Sequence, residues 1–166
     1  MKLNYKQRRL LIHILTIIAI LAGTYSAYVG LQFLLTTDIP LVAIASGSMS
    51  PALEVGDLII VQGIPPTDIQ IGDIIVFDSP QGNRTIHRVT RIQTLPDGAI
   101  QFRTKGDANQ EEDSQWIRGE DVHGRTMYRI PYIGWLALDP TIPIIIISII
   151  IIIALLWPRK RRKLRR

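Results

Sequence analysis

Two long apolar runs, one towards each end of the 166-residue chain, limit what it can fold into. Six residues interrupt the first run between Leu10 and Ala27, and the run continues loosely to Leu35. The second run, Ile142 to Trp157, has 16 residues that are mostly isoleucine and leucine. It gives about 24 Å of helix, whereas the hydrocarbon core of a bilayer is about 30 Å thick. The sequence therefore predicts a long first transmembrane helix and a short second one.

Charge divides the chain into the same segments. Four basic residues precede the first run and seven follow the second, and neither tail contains an acid. The segment between the runs has eight basic and fourteen acidic residues, a net charge of −6, although the whole chain carries +5. The positive-inside rule therefore predicts a protein of the cell membrane with both tails in the cytoplasm. The predicted parts are a basic tail (1–9), a first span (10–35), an extracytoplasmic domain (36–140), a second span (141–158) and a second basic tail (159–166).

Two other interpretations of the chain ends fit less well. Short basic runs also bind nucleic acid, but a basic run directly after an apolar span is typical of a flank that contacts anionic lipid. We therefore expect a lipid bilayer as partner and no nucleic acid. The N-terminal run resembles a cleaved signal peptide, yet it exceeds the usual apolar length of about 7–15 residues and no A-x-A site follows. We expect an uncleaved anchor.

The segment between the spans is predicted to be a mainly β domain, so that a small β domain is flanked by two transmembrane helices. Short runs rich in β-branched residues alternate with Gly, Pro and Asp, and no helix of conventional length fits. Two segments, Val55-Gly56-Asp57 and Ile71-Gly72-Asp73, are near copies that lead into apolar strands. The predicted strands are Leu41–Ala45, Asp57–Gln62, Asp73–Phe77, Thr85–Leu95, Ala99–Thr104 and Thr126–Ile130.

Hydroxyl groups and one lysine are the candidate nucleophiles of this domain. The chain has no cysteine, which excludes disulfides and thiol catalysis. Three serines lie just after the first span in Ser46-Gly47-Ser48-Met49-Ser50-Pro51, a segment whose composition also suits a turn. A serine nucleophile needs a base, either a histidine or a lysine whose pKa is lowered by burial. His87, His123 and Lys105 are the bases available, although a lone strand histidine such as His87 more often has a structural role.

Several carboxylates lie together on one predicted loop after Lys105. They are Asp107, Glu111, Glu112 and Asp113. Oxygen ligands of this kind suit calcium, but their spacing does not match the EF-hand pattern, and we expect neither a metal nor another cofactor. A loop carboxylate can also orient a histidine, as the third member of a catalytic triad does. The residues alone leave open which of the four would do so.

Four segments, in order, resemble the motifs of type I signal peptidases, the membrane-bound serine proteases that remove signal peptides. They are Ser46–Pro51 with the Gly56-Asp57 strand after it, Gly72–Phe77, Ile86–Val89 and Thr104–Asn109. The segment from Val122 to Gly134 also looks like the end of the family's domain, so the resemblance covers essentially the whole middle segment. One departure is Ala108, where the family's usual Gly-Asp-Asn-Asn becomes Gly-Asp-Ala-Asn. We expect this change to be tolerated.

The resemblance implies a specific set of site residues. His87 stands where the base belongs, so the chain resembles the endoplasmic-reticulum and archaeal type with a Ser-His pair, peptidase family S26B. Ser48 would be the nucleophile, His87 the general base, Asp113 the acid that orients it and Asp107 a supporting carboxylate. The Ser46 hydroxyl would help to form the oxyanion hole. The implied function is a serine endopeptidase that cleaves N-terminal signal peptides from secreted or membrane preproteins, with other membrane subunits or a secretion translocon as further partners.

Two alternatives remain open. The first is a Ser-Lys dyad with Lys105 as base, which is disfavoured because a lysine beside a glycine turn stays solvated and charged. The second is a catalytically silent or substrate-dedicated subunit that acts in binding or assembly at the membrane.

In either enzymatic mechanism, an extended substrate can pair with the strand Leu41–Ala45 by strand addition. Ala43 and Ala45 would leave room there for small substrate side chains.

Overall fold

The computed structural model of the chain describes residues 4–80, 82–139, 141, 143, 145 and 149. Its first element is the helix α1 (Tyr5–Leu35). Asn4 caps the helix through a reciprocal pair of bonds, in which its side chain accepts the Gln7 N–H and its own N–H donates to the Gln7 side chain. The helix ends at Thr36, whose left-handed backbone turns its N–H back to the last carbonyls. The helix thus begins five residues before the predicted span and ends where the span was predicted to end.

Helix α1 has the length and composition of a membrane span. Its segment Gln7–Leu35 contains an 18-residue stretch of high mean hydropathy that is not buried inside the protein. The hydroxyls of Thr16 and Thr24 donate to carbonyls one turn earlier in the helix, so they need no partner outside it. Within the described residues this is the one helix that meets the length and composition of a span. The second predicted span, 141–158, lies largely outside the described residues.

Seven strands follow α1 and form a single antiparallel sheet. The strands are β1 (Leu41–Ala43), β2 (Leu58–Gln62), β3 (Ile74–Asp78), β4 (Arg84–Thr94), β5 (Ile100–Lys105), β6 (Ile117–Arg118) and β7 (Val122–Ile130). Their order across the sheet is β1-β2-β7-β3-β4-β5-β6. A four-residue helix, α2 (Trp135–Leu138), comes after the last strand. The mainly β prediction for the middle segment is confirmed, and so is one apolar helix before it.

Two strands differ from the predicted ones by more than one residue at an end, four differ by a single residue at one or both ends, and one strand was not predicted. Strand β1 ends at Ala43 rather than Ala45, because Ile44 leaves the ladder and bonds the Gly-Asp turn before β2. Strand β7 begins at Val122 rather than Thr126, because Gly124 lets it approach β2 so closely that a Cβ there would lie 2.3 Å from a carbonyl oxygen. Strand β6 was not predicted, since its two residues are too few to show alternation.

The two near-copy segments fold into the same turn. Gly56 and Gly72 have φ of 91° and 98°, which are left-handed values that favour glycine. The next residue, Asp57 or Asp73, accepts the backbone N–H of the residue three positions earlier, at 2.7 and 2.9 Å. Each aspartate also pairs with an arginine of β7. Both turns are therefore fixed to the same central strand.

The end of α1 is bonded directly to the sheet. The Gly63 N–H, just after β2, donates to the Leu35 carbonyl at 2.8 Å, and the Thr36 hydroxyl donates to the Gly63 carbonyl at 3.1 Å. A Cβ on Gly63 would lie 2.0 Å from the Thr36 carbonyl oxygen, so only glycine allows this approach. Thr37 extends the connection by donating its hydroxyl to the His123 carbonyl of β7.

Apolar side chains form two clusters on the sheet. The first cluster is made by Ile44, Met49, Leu53, Ile59, Val61 and Val76. The second is made by Ile69, Ile75, Phe77, Val89, Phe102 and Ile117. Met49 of the first cluster follows Ser48, and Phe77 of the second contacts His87 edge to face, with ring centroids 6.4 Å apart. Burial of these two side chains fixes the positions of Ser48 and His87.

Candidate active site

Ser48 lies on a single 3-10 turn, Gly47–Met49, that follows β1. Met49 is almost fully buried and anchors the turn, while the Ser48 side chain is left half-buried at the surface. The backbone of Ser48 is held from a second direction, since the Ala108 N–H donates to its carbonyl at 2.9 Å. Gly106 is needed for this contact because a Cβ there would lie 2.7 Å from the same oxygen. The serine is therefore fixed by burial on one side and by a backbone bond on the other.

His87 is held in the middle of the sheet. It lies on β4, opposite Ile75 of β3, and only 8% of its surface is exposed. Each of its two ring nitrogens has a partner. Nδ1 lies 2.6 Å from Asp113 Oδ2, and Nε2 lies 3.3 Å from Ser48 Oγ. The structure thus brings together three residues that are separated by 39 and 26 positions in the sequence.

The chemistry of this arrangement follows from which ring nitrogen carries a proton. An ionised carboxylate only accepts hydrogen bonds, so Asp113 favours the tautomer with the proton on Nδ1. Nε2 is then free to accept the hydroxyl proton of Ser48. This is the order of partners that activates a serine nucleophile. The 3.3 Å separation is within the looser range of enzymes without bound substrate.

Asp107, expected as a supporting carboxylate, does not bond His87 within the described structure. It forms a bidentate pair with Arg88, the residue next to His87, at 2.8 and 2.6 Å. This hydrogen bond raises the pKa of Arg88 above its ordinary value and keeps the guanidinium charged. Asp107 is therefore connected to the site through Arg88 and through the turn that holds the Ser48 carbonyl.

The alternatives for the orienting acid are separated by the register of the sheet. Glu112 lies between two arginines, with Arg91 at 3.2 Å on β4 and Arg103 at 3.8 Å on β5. Arg103 also donates to the Ser114 carbonyl at 2.6 Å. These contacts hold the residues on both sides of Asp113. Of the four carboxylates considered, Asp113 is the one that bonds His87 among the described residues.

Lys105, the alternative base, is placed differently. It lies at the end of β5 opposite Arg88, and the described part of the chain contains no hydrogen bond between its amine and Ser48. The Ser46 hydroxyl, by contrast, lies 3.3 Å from the Ser48 hydroxyl. Its role in an oxyanion hole stays a prediction.

The second histidine, His123, has a different environment. Its Nδ1 lies 3.0 Å from Asp38 and its Nε2 lies 2.9 Å from Asp78. Asp78 also pairs with Arg84 at 3.3 Å. The hydrogen bond from His123 is the main reason why the pKa of Asp78 is lowered. His123 therefore connects the segment after α1 to strands β3 and β7 and does not contact Ser48.

Two hollows lie on either side of His87. The larger, about 440 Å³, contains Ser48 and is lined by Val42–Ser46, Ser48, Met49 and Arg84–His87. One wall is formed by the unpaired edge of β1, which ends at Ala43, and by Ala45 just after it. The smaller, about 320 Å³, contains Asp113 and is lined in part by Phe77, Ser79, Asn83 and Ser114. The candidate triad is thus reached by a groove that has an open strand edge along it.

Sequence reasoning missed Thr104, although it lies within one of the recognised segments. Its side chain is fully buried, and its hydroxyl donates to Asp113 Oδ2 at 2.6 Å. The available signal was a hydroxyl at an inward-facing position of a strand, between the buried Phe102 and the loop carboxylates.

The family model and the relatives named below that match this chain are all described as signal peptidases. A family model described as "Signal peptidase, peptidase S26" matches residues 9–112, which include Ser48 and His87 and stop one residue before Asp113. The signal peptidase complex catalytic subunit SEC11C of Homo sapiens is 32% identical over 140 residues, or 77% of this chain and 71% of that protein. SEC11C of Mus musculus gives the same values. The signal peptidase complex catalytic subunit SEC11 of Tuber melanosporum is 29% identical over 155 residues, covering 81% of each chain.

Proposed function

Because the chain belongs to the signal peptidase family, peptidase S26, in its endoplasmic-reticulum type, we propose that it cleaves signal peptides with Ser48, His87 and Asp113 as the catalytic triad. Signal peptidase activity follows from the family, and the assignment of roles to residues is the proposal. The observation that carries it is the pairing of the His87 ring, with the carboxylate at Nδ1 and the serine hydroxyl at Nε2.

The first half of the proposed reaction is acyl transfer to Ser48. His87 Nε2 takes the hydroxyl proton as Oγ attacks the carbonyl carbon at the cleavage site. The resulting imidazolium is stabilised by the Asp113 carboxylate. When the tetrahedral intermediate collapses, His87 gives the proton to the departing amine, which is the new N-terminus of the mature protein. Water then attacks the acyl-enzyme, again with His87 as base, and releases the signal peptide.

Two donors near Ser48 are proposed to stabilise the oxyanion. They are the Ser48 backbone N–H, in the middle of the 3-10 turn, and the Ser46 hydroxyl, 3.3 Å from Ser48 Oγ. One such donor typically contributes about 3–4 kcal/mol to the stability of the transition state. The Ser46 contribution is measured by Ser46→Ala, for which we expect a lower kcat and a nearly unchanged KM.

The substrate is proposed to bind as an extended strand along the free edge of β1. This edge forms a wall of the groove that contains Ser48, so backbone pairing would direct the scissile bond towards the serine. Ala43 and Ala45 leave shallow space for small side chains. Confinement of enzyme and signal peptide to one bilayer would raise their effective concentration without further contacts.

The proposed arrangement in the membrane has two spans, 10–35 and 141–158, with both tails in the cytoplasm and residues 36–140 on the other side. It is supported by the apolar helix α1 and by the distribution of charge in the sequence. The relatives are named as subunits of a complex, so we also propose other membrane subunits as partners. Protease added outside sealed cells should degrade residues 36–140 and spare both tails.

The decisive experiment measures cleavage of a preprotein by the full chain in detergent. Ser48→Ala and His87→Ala should each reduce kcat by at least about 1,000-fold. Two matched controls should keep wild-type rates. They are Ser50→Ala, whose hydroxyl bonds Glu54 at 2.8 Å, and His123→Gln.

Three results would contradict the proposal in different ways. Full cleavage by Ser48→Ala would remove the nucleophile assignment. Loss of cleavage in Lys105→Ala with activity kept in His87→Ala would favour the Ser-Lys dyad. Absence of cleavage by the wild type across several preproteins would favour a silent subunit or one dedicated to a single substrate.

A further inference from the structure

Asp113 shares one carboxylate oxygen between two donors. Oδ2 lies 2.6 Å from His87 Nδ1 and 2.6 Å from Thr104 Oγ1. Because an ionised carboxylate cannot donate, the threonine hydroxyl is the donor in the second bond. The Asp113 N–H in turn donates to the Thr104 carbonyl at 2.8 Å. Thr104 therefore holds both the backbone and the side chain of Asp113.

The two partners differ in how firmly the fold holds them. Thr104 is fully buried on β5, opposite Val89 of β4, which is two residues from His87. Its branched side chain also has restricted rotation about χ1. Asp113 lies between β5 and β6, outside any strand. A hydroxyl fixed to the sheet thus orients a carboxylate that belongs to a loop.

We propose that Thr104 is a positioning residue, whose hydroxyl holds the Asp113 carboxylate in the orientation that faces His87 Nδ1. This inference rests on the proposed roles of Ser48, His87 and Asp113. A carboxylate that rotates away from Nδ1 no longer selects the productive tautomer or stabilises the imidazolium. Thr104 is not among the described residues that line either hollow. Its loss should therefore slow the chemical step and leave substrate binding unchanged.

The first test compares two substitutions of Thr104 in the full chain in detergent. Thr104→Val removes the hydroxyl, nearly preserves shape and keeps the backbone bond from Asp113. We expect kcat for preprotein cleavage to fall about 10- to 100-fold with KM within about twofold. Thr104→Ser restores the donor, so kcat should return to within about threefold of wild type. A matched control is Thr126→Val on β7, because Thr126 Oγ1 is buried with no partner in the described structure and should be dispensable for kcat.

The second test asks whether the effect passes through the carboxylate. In an Asp113→Ala background, measured in single turnover with excess enzyme, Thr104→Val should change the residual rate by less than about twofold. A purely structural role for Thr104 would give the same fold loss in both backgrounds and would overturn the inference. A wild-type kcat for Thr104→Val, or failure of Thr104→Ser to restore the rate, would overturn it as well.

Two further outcomes keep this inference separate from the proposed function. If thermal unfolding shows that Thr104→Val does not fold, Thr104→Ala also removes the hydroxyl and takes its place in every comparison. If Ser48→Ala and Asp113→Ala lose activity while the Thr104 variants behave like wild type, the inference fails and the proposed triad stands. If Ser48→Ala keeps full activity, the triad itself fails.

Discussion

At the scale of single residues, the Ser48 carbonyl is held by backbone atoms of a turn rather than by side chains. The Ala108 N–H donates to it, and Gly106 gives the space for that approach. Since the contact at position 108 uses only the backbone, the alanine found there in place of the family's usual asparagine costs the contact nothing. The expectation that this departure is tolerated therefore has a physical reason.

Substitutions at these two positions should have opposite consequences. Gly106→Ala places a Cβ 2.7 Å from the Ser48 carbonyl oxygen, so the serine has to move. Because misplacement of a catalytic group by about 1 Å can reduce the rate 100-fold, we expect kcat to fall at least about tenfold. Ala108→Asn should stay within about twofold of wild type. Preprotein cleavage measures both, with thermal unfolding to confirm that each variant folds. Equal activities of the two variants would show that the turn does not position Ser48.

The residue types of the site could be predicted from the residues alone, whereas the partner of His87 could be predicted only through the resemblance to the family. A serine, a histidine and a group of acids are visible as a pattern, and the resemblance singles out Asp113. The structure adds that Glu112 is paired with Arg91 and Arg103 from neighbouring strands, whereas Asp113 bonds His87. Such pairing depends on Arg91 and Arg103 lying opposite each other on β4 and β5, and a local pattern of residues does not show which positions of two strands become neighbours.

At the scale of elements, strand β7 connects the two Gly-Asp turns. Arg129 lies 2.5 Å from Asp57 and also donates to the Ala52 carbonyl at 3.0 Å, whereas Arg125 lies 3.4 Å from Asp73. The two pairs differ in burial, since the Asp57 side chain is 1% exposed and the Asp73 side chain is 19% exposed. We therefore expect the Asp57–Arg129 pair to contribute more to the stability of the fold than the Asp73–Arg125 pair, although both belong to the same sequence pattern.

Removal of the two arginines should show this difference. Arg129→Ala leaves a buried carboxylate unpaired and should destabilise the fold by about 3 kcal/mol or more. Arg125→Ala breaks a longer and more exposed pair and should cost about 1 kcal/mol or less. Thermal unfolding of the full chain in detergent measures both. Comparable losses of stability in the two variants would contradict the expectation that the more buried pair contributes more.

The groove along β1 gives a second prediction at this scale. Ala45→Phe places a large ring in the hollow that contains Ser48, so kcat/KM for a preprotein should fall at least about tenfold. The unfolding temperature should change little because position 45 is exposed. Ala99→Phe, at an exposed position before β5, is the matched control. Unaltered cleavage by Ala45→Phe would mean that the substrate does not use this groove.

At the scale of the whole molecule, His123 links the segment after helix α1 to the sheet. One ring nitrogen faces Asp38 and the other faces Asp78. Both contacts are satisfied at once when each ring nitrogen carries a hydrogen. The link thus combines a histidine of β7 with carboxylates from two other parts of the chain.

The stability that this link contributes should depend on pH. The pKa of Asp78 is lowered from 3.8 in the folded protein, chiefly by the hydrogen bond from His123. A lowered pKa means that the stabilisation is present above about pH 4 and is lost as the pH falls through the folded-state value. The unfolding temperature of Asp78→Asn should therefore lie slightly below that of wild type at about pH 5, and the gap should close towards about pH 3. Since the pair is partly exposed, the gap corresponds to about 1 kcal/mol or less. A gap that is constant over this range would contradict the prediction.

Much of the overall organisation could be predicted, but the order of the strands could not. Six of the seven strands and the first helix follow from periodicity and composition. The position of β7 between β2 and β3 depends on pairings between distant segments and on the space that Gly124 leaves beside β2. Neither is visible in a local pattern of apolar residues.

The direct bonding of α1 to the sheet has a mechanical consequence. Because Leu35 and Thr36 are hydrogen-bonded to Gly63, the end of the helix is attached directly to the sheet. In the proposed membrane arrangement, the fold would then set the distance between Ser48 and the lipid surface. Such an enzyme would select a peptide bond by the distance of that bond from the bilayer as well as by the substrate side chains beside it.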